Sequence, residues 1–553
     1  MPVNAEAKVT EAAATMTGGA ALVNGLIDHG IGTLFALPGV QIDPLFAALY
    51  DRSDEIRVVT SRHEQGAAYM AFGAARSTGK ASAYAVVPGP GWLNASGALA
   101  TAYGCNAPVV CLAGQIPSRS LGRGIGELHE VPDQLALARG LTKWAARADH
   151  PADAPRLLAT AFCEARSGRP RPVHLEMATD VMAQEVPVGA APVLTPWTPP
   201  VDPKAIERAV ALASKAERPM ILVGGGAQSA SVEVTRLAER LHAPAVALRS
   251  GRGVVDESSW LAQGWLAGHA LWADADLVIA IGTRLDFPFR HWGKDDRLAV
   301  IRIDVDPTEV ARQFVPDVAI VADAAAAVSA ILAELPAGLP RASRESKLRA
   351  LKARSEADLD AQMGPQMAIL RDLRAALPDD GFFVDELTQI GYASWSWFPT
   401  YGPRQYISSG YQGTLGYGFP TALGVKAANP DRAVLSISGD GGIMFAIQEL
   451  ASAVKYGLNT INIVFADNKF GNVQRIQRER YGGRVLGSDL HNPRFAELAR
   501  DFGAIGVKCD DVARLGDLVA AHRDADRPVL IEVPVGDFPT PWSAIRRPPV
   551  RGQ

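Results

Sequence analysis

The sequence predicts an α/β protein made of three doubly wound parallel-sheet domains. Two observations lead there. Short continuous runs of Val, Ile, Leu and Ala alternate with amphipathic stretches of helical period along the chain, and strands apolar on both faces belong in parallel sheets covered by helices on both sides. At 553 residues the chain is also longer than one hydrophobic core supports, and two interruptions divide it into blocks of the same pattern.

The first block spans residues 1–185, with the strands SAYAVV and PVVCLAG. The stretch VPVGAAPVLTPWTPPVDP (186–203) holds too many prolines for a helix and reads as a linker. The second block, 204–335, contains PMILVGGG, DLVIAIG and AVIRIDVD. The segment LPAGLPRASRESKLRALKARSEADLDAQMGP begins as a turn and continues as a charged, solvated helix. The third block, 365–553, carries AVLSISGDG, INIVFADN and PVLIEVPV. No short-period repeat of the solenoid kind runs through them.

Composition narrows the partners to small molecules. A net charge of -4 offers no electrostatic footprint for nucleic acid. No apolar run reaches the roughly 18 residues of a membrane span. The opening MPVNAEAKVTEAAAT lacks the basic-then-apolar order of a secretory signal. Four scattered cysteines, none in a CxxC pair, read as reduced thiols of a cytoplasmic protein.

The most informative stretch is SISGDGGIMFAIQELASAVKYGLNTINIVFADNKFGN, from residue 436. It reads as strand, glycine turn, the helix IMFAIQELASAVKY, strand, and an Asp-Asn pair. Asp440 and Asn468 then emerge at the ends of two parallel strands, on the sheet edge where open α/β sheets bind ligands. A helix N-terminus suits phosphate, and Asp440 there would repel phosphate unless a cation lay between. Mg2+ takes few protein oxygens and shares the rest with phosphate. An acid in a lone Gly turn is commonly a helix cap; the spacing to Asn468 favours the cation.

These residues resemble the thiamine diphosphate enzyme family, whose signature is GDG, a spacer of this length and a terminal Asn. The resemblance covers nearly the whole chain, the three blocks matching the pyrimidine-binding, central and diphosphate-binding domains in order. It is greatest to the acetolactate synthase, benzaldehyde lyase and 2-hydroxyacyl-CoA lyase branch. It implies that Asp440, Asn468 and the carbonyl of Phe470 bind Mg2+, which holds the diphosphate. The segment RHEQGAAYMAFGAAR is near-identical to the family's, and its Glu64 would be the acid–base group on the cofactor's pyrimidine. YQGTLGYGFPTALG implies that Leu415 wedges between the cofactor's rings. Thr388 and Gln389, in DELTQIGYASW, would face the diphosphate, with Gly439, Gly441, Gly442 and Ile443 in the GDG turn and Pro38 and Gly39 of FALPGVQIDPLF completing the cofactor contacts. The family's sites form between subunits, which implies a homodimer at least and commonly a homotetramer.

Around the reacting carbon the chain departs from each close relative. Gln41 stands where benzaldehyde lyase has a histidine, Ile476 where acetolactate synthases carry a tryptophan, and Leu128-His129-Glu130 where they have Phe-Gln-Glu. Gln115, in AGQIPS, matches a pocket glutamine of acetolactate synthases. With Gln41 and Gln115 beside the substrate, the expected activity is carbon–carbon lyase or carboligase chemistry on 2-hydroxy ketones or small 2-oxo acids, with decarboxylation in scope. The alternatives are a 2-hydroxyacyl-CoA lyase or oxalyl-CoA decarboxylase, with Arg546, Arg547 and Arg551 of the tail near phosphates, and a pyruvate oxidase-like flavin enzyme. The last would place FAD or ADP against VGGG (223–226) and GTRLDF (282–287) of the central block.

Overall fold

The structure is a computed structural model that describes residues 14–247 and 249–552. The opening segment read above as lacking a secretory signal lies largely outside the described residues. Three six-stranded sheets, each parallel throughout and flanked by helices, form the architecture. The three-domain α/β expectation is met. By contacts the chain separates into two compact units, one of Lys80–Trp197 with the residues before Arg76, the other of Arg76–Gly79 with the chain from Thr198 onward.

Strand order explains where ligands can bind. Numbering strands along the chain within each sheet, the first and third sheets run 2-1-3-4-6-5 and the middle one 3-2-1-4-5-6. Each order reverses beside its first strand, and the crevice at the carboxyl ends of the strands flanking that reversal is the ligand position of doubly wound sheets. In the first sheet those strands are Thr33–Ala36 and Ser82–Val86, which lead into LPGVQ and VPGPG. In the third they are Phe382–Val384 and Val434–Gly439, which lead into DELTQ and DGG. In the middle sheet they are Pro219–Val223 and Leu277–Ile281, which lead into GGG and GTRLD.

Two elements differ from expectation. The helix expected after GDGG is broken into Asp440–Ile443, a 3-10 turn Ile447–Glu449 and Leu450–Tyr456. Phe445 N and Ala446 N bond back to the carbonyls of Gly442 and Ile443, tightening the turn, and Ala446 at φ -142 leaves helical space. The charged helix Glu345–Ala376 is not wholly solvated: Leu348, Leu351 and Leu359 are buried along it. It breaks at Met363, ahead of Pro365, where proline removes a helical donor and crowds the preceding turn.

The C-terminal tail also departs from the sequence reading, in which a basic tail is most often solvated and Arg551 meets substrate phosphates only under the thioester alternative. Arg551 is buried instead, its Nε donating to Trp272 O at 2.6 Å and its Nη1 paired with Asp295 Oδ1 at 2.7 Å. His269 Nε2 bonds Pro548 O at 2.8 Å and Trp265 Nε1 donates to Ile545 O at 3.0 Å. The tail is an anchor onto the central block. Among the described residues no helix is long and apolar enough to cross a membrane.

Candidate active site

The third sheet's switch point gathers the carboxylate and amide singled out in the sequence. Asp440 is 2% exposed, its Oδ1 accepting from Gly441 N at 2.8 Å and its Oδ2 from Asp467 N at 3.0 Å and Asn468 N at 2.6 Å. Asn468 has φ 55, a left-handed conformation that asparagine tolerates better than most side chains. Phe470 donates its N–H to Ser488 O at 2.8 Å, and its carbonyl accepts Gln474 N at 2.9 Å as the next helix begins, leaving one lone pair. Its ring lies over Gly441, where a Cβ would come 2.5 Å from Phe470 Cε1.

These groups suit a hard cation. Among the described residues no three His, Cys, Asp or Glu side chains converge on a metal position. A cation here would therefore take a mixed set, one carboxylate, one amide oxygen and one main-chain carbonyl, with ligand oxygens completing it. That is the donor set Mg2+ favours beside phosphate. Burial, then the neighbouring Asp440 charge, raises Asp467 to about 6.

Thr388 caps the helix Gln389–Ser394, its Oγ1 accepting Gly391 N at 2.8 Å, and a Cβ on Gly439 would lie 3.4 Å from its Cγ2. The Gln389 amide lies near Gly471, and Leu415 is half-buried ahead of Gly416 at φ 74. Ile443 is wholly buried, whereas Met444 beside it is 43% exposed. The Gly441 N–H, expected to face a ligand, is turned onto Asp440 Oδ1 instead.

Sequence reasoning missed Glu386. This carboxyl is 1% exposed. It accepts Gly416 N at 2.5 Å and Ser438 Oγ at 2.6 Å, and its oxygen occupies the space a Cβ on Gly442 would need. It therefore ties the Leu415 loop to the turn holding Asp440. Burial, against those hydrogen bonds, pushes it up to about 7. Next to it Asp385 takes Trp395 Nε1 at 2.9 Å, Tyr406 OH at 3.0 Å and the Tyr417 hydroxyl. An acid directly after a strand at the switch point was the available signal.

The carboxyl edge of the first sheet carries the other predicted residues. Glu64 opens the helix Glu64–Thr78, where a carboxylate complements the helix dipole. It stays half-exposed and accepts Asn94 Nδ2 at 3.0 Å, a partner outside the motifs singled out in the sequence. Gly39 and Gly91 flank Val87, and a Cβ on Gly91 would lie 3.3 Å from Glu64 Oε1; Pro38 is exposed ahead of Gly39. Gln41 is buried, its Nε2 donating to Leu128 O at 3.0 Å, while its Oε1 has no hydrogen-bond partner among the described residues. Gln115 faces inward: its Oε1 accepts Ile116 N at 2.8 Å and its Nε2 approaches Glu176 at 3.4 Å. Glu176 is itself held by Gln134, which also accepts Gly89 N at 2.9 Å.

The middle sheet's glycines have a structural explanation. Gly224 N donates to Ile281 O at 3.0 Å and Gly226 N to Gly282 O at 3.0 Å. A Cβ on Gly226 would lie 2.8 Å from Gly282 Cα. The turns close on each other.

Comparison with known proteins agrees with this geometry. Residues 16–137, 206–331 and 387–533 match the N-terminal TPP binding, central and C-terminal TPP binding domains of thiamine pyrophosphate enzymes. The chain belongs to the thiamine pyrophosphate enzyme family. A probable 2-ketoarginine decarboxylase (AruI) of Pseudomonas aeruginosa is 35% identical over 523 residues, 91% of each chain. A probable acetolactate synthase large subunit of Methanocaldococcus jannaschii is 31% identical, over 94% of this chain and 92% of its own. The isozyme 1 large subunit of Escherichia coli acetolactate synthase is 29% identical over 94% and 96%. Within the family, this chain is a thiamine diphosphate-dependent enzyme of acetolactate synthase-like type.

Proposed function

We propose that the chain is a Mg2+- and thiamine diphosphate-dependent lyase or carboligase that acts on small 2-oxo acids, with decarboxylation, or on 2-hydroxy ketones. The observation that carries this reading is the buried Asp440 hydrogen-bonded to the Asn468 main chain at the carboxyl edge of one sheet, with Glu64 opening a helix at the carboxyl edge of a sheet of the same strand order. Similarity to a decarboxylase and to acetolactate synthases supports the substrate class.

When bound, thiamine diphosphate supplies a carbon nucleophile that adds to a carbonyl and accepts the electron pair of the broken carbon–carbon bond. Asp440, Asn468 and the Phe470 carbonyl would hold Mg2+. Thr388, Gln389, Gly439, Gly442 and Ile443 would shape the surroundings of the diphosphate, Leu415 would support the rings, and Pro38 and Gly39 would border the pyrimidine. Glu64 would exchange a proton with the pyrimidine nitrogen. Gln41, with an acceptor oxygen that has no hydrogen-bond partner among the described residues, hydrogen-bonds a substrate or product hydroxyl. Gln115 supports the pocket from behind, since its amide is already engaged. Domains of 1–185, 204–335 and 365–553 and a cytoplasmic homodimer, or a homotetramer, complete the reading.

The thioester alternative loses the phosphate-binding role assigned to Arg551, which is spent on Asp295 and Trp272. The flavin alternative drew on glycines already needed for the turns of the middle sheet to meet. A panel of pyruvate, other small 2-oxo acids, benzoin, acetoin and 2-hydroxyacyl-CoA tests the reading. It expects turnover of free acids or hydroxy ketones by a colourless protein; turnover confined to thioesters would overturn it.

A further inference from the structure

Asn492 lies outside every motif the sequence singles out. It ends a segment that folds back on the loop bearing Asn468 and Phe470. Phe470 N donates to Ser488 O and Leu490 N to Asn468 O, both at 2.8 Å. Between them Asp489 pairs with Lys469 in an antiparallel bridge, and Gln474 Nε2 donates to Asp489 Oδ1 at 2.8 Å. These bonds fix the register of the segment and deliver Asn492 beside the two oxygen-bearing side chains. Its Nδ2 donates to Asp440 Oδ2 at 2.8 Å and to Asn468 Oδ1 at 3.0 Å.

One amide nitrogen, with two hydrogens, thus spans both groups. The bond to Asp440 Oδ2 gives that oxygen a third donor beside two main-chain N–H groups, so Oδ1, which takes Gly441 N, is the oxygen with more room for a cation. The bond to Asn468 Oδ1 settles which end of that amide faces the site. A rotation of about 180° about χ2 would present the Asn468 NH2 group, which repels a cation, and would bring it against the Asn492 NH2 group.

We propose that Asn492 is a positioning residue of the cation site, a single amide that holds Asp440 and Asn468 together and keeps the Asn468 oxygen turned toward the metal. It is not itself a ligand, and it rests on the cation reading given above. Groups that orient metal ligands are typically worth 10–100-fold in affinity. Fixing two ligands matters most for Mg2+, which demands near-ideal octahedral geometry, and least for Ca2+, whose coordination is irregular and adaptable.

The test uses full-length Asn492→Ala, titrated calorimetrically with Mg2+ and separately with Ca2+ in the presence of thiamine diphosphate, and melted without either. Mg2+ affinity should fall about 10–100-fold and Ca2+ affinity much less, so the preference for Mg2+ narrows. Saturating Mg2+ should restore cofactor binding, and the melting temperature of the metal-free protein should hardly move. Unchanged Mg2+ affinity would overturn the proposal, as would equal losses of both ions together with a lower metal-free melting temperature, which mark a loop anchor only. Asn492→Ser keeps a polar loop but is too short to reach both oxygens; it should show the same narrowing, and wild-type selectivity in it would also overturn the proposal. Binding of thiamine diphosphate by the wild type without any divalent ion would instead sink the cation reading.

Discussion

Asp440 Oδ2 accepts the main-chain N–H of Asn468 at 2.6 Å. The carboxylate that ends one strand thereby fixes the backbone of the asparagine that follows the next, in the left-handed conformation that directs its side chain. The two groups form one unit, and a change to either should disturb both.

Asp440→Asn is expected to weaken Mg2+-dependent retention of thiamine diphosphate by more than about 100-fold, beyond the effect typical of groups that only orient a ligand. It removes the one negative charge of the mixed ligand set and replaces one acceptor oxygen by an NH2 group facing main-chain donors. Calorimetry with and without Mg2+ checks this; unchanged affinity with Mg2+ still required would exclude the site.

Glu386 should impose a pH dependence on stability. Burial raises its carboxyl from 4.5 to about 7 in the folded protein, so between those values the folded state keeps a proton that the unfolded chain releases. Unfolding then releases a proton, and stability falls as pH rises from 4.5 to 7, by at most about 1.4 kcal/mol per pH unit, and levels off above. Glu386→Gln should flatten that window in thermal melts while keeping the bonded shape. An identical slope in the variant would show that other groups set it.

Arg551→Ala should destabilise the second compact unit by about 1–3 kcal/mol, the usual cost of leaving buried acceptors such as Trp272 O without their donor, since Asp295 keeps Arg297; urea unfolding measures it. Arg297, with Arg551, holds Asp295 down at about 2; stability linked to it is complete above pH 3.8 and lost as pH falls toward 2. Turnover of short substrates by the protein that stays folded should persist. A selective rise in KM for thioesters, with stability unchanged, would restore the tail to the substrate.

The fold was legible because both-sided apolar strands between helices admit few architectures, and the spacing from Asp440 to Asn468 reported two strand ends on one edge. The residues supporting them were less legible. Asn492 reaches the site through a loop that folds back, with no spacing to signal it. Glu386 sits in a quoted motif, but its burial follows from the Gly416 and Gly442 backbones closing around it, which no local pattern reveals. Gln115 was found by likeness, yet its rotamer answers to the buried Glu176. The length of the helix after Asp440 was misread because apolar periodicity continues across the break at Ala446.

The most direct test of the account is hydrogen–deuterium exchange at C2 of bound thiamine diphosphate, followed by NMR after acid quench, in the wild type and in Glu64→Gln. The amide keeps a hydrogen bond to the pyrimidine but cannot exchange a proton with it. The account predicts fast exchange in the wild type and a variant that still binds the cofactor but exchanges about 10²–10⁴-fold more slowly. Exchange at the wild-type rate in Glu64→Gln would contradict it.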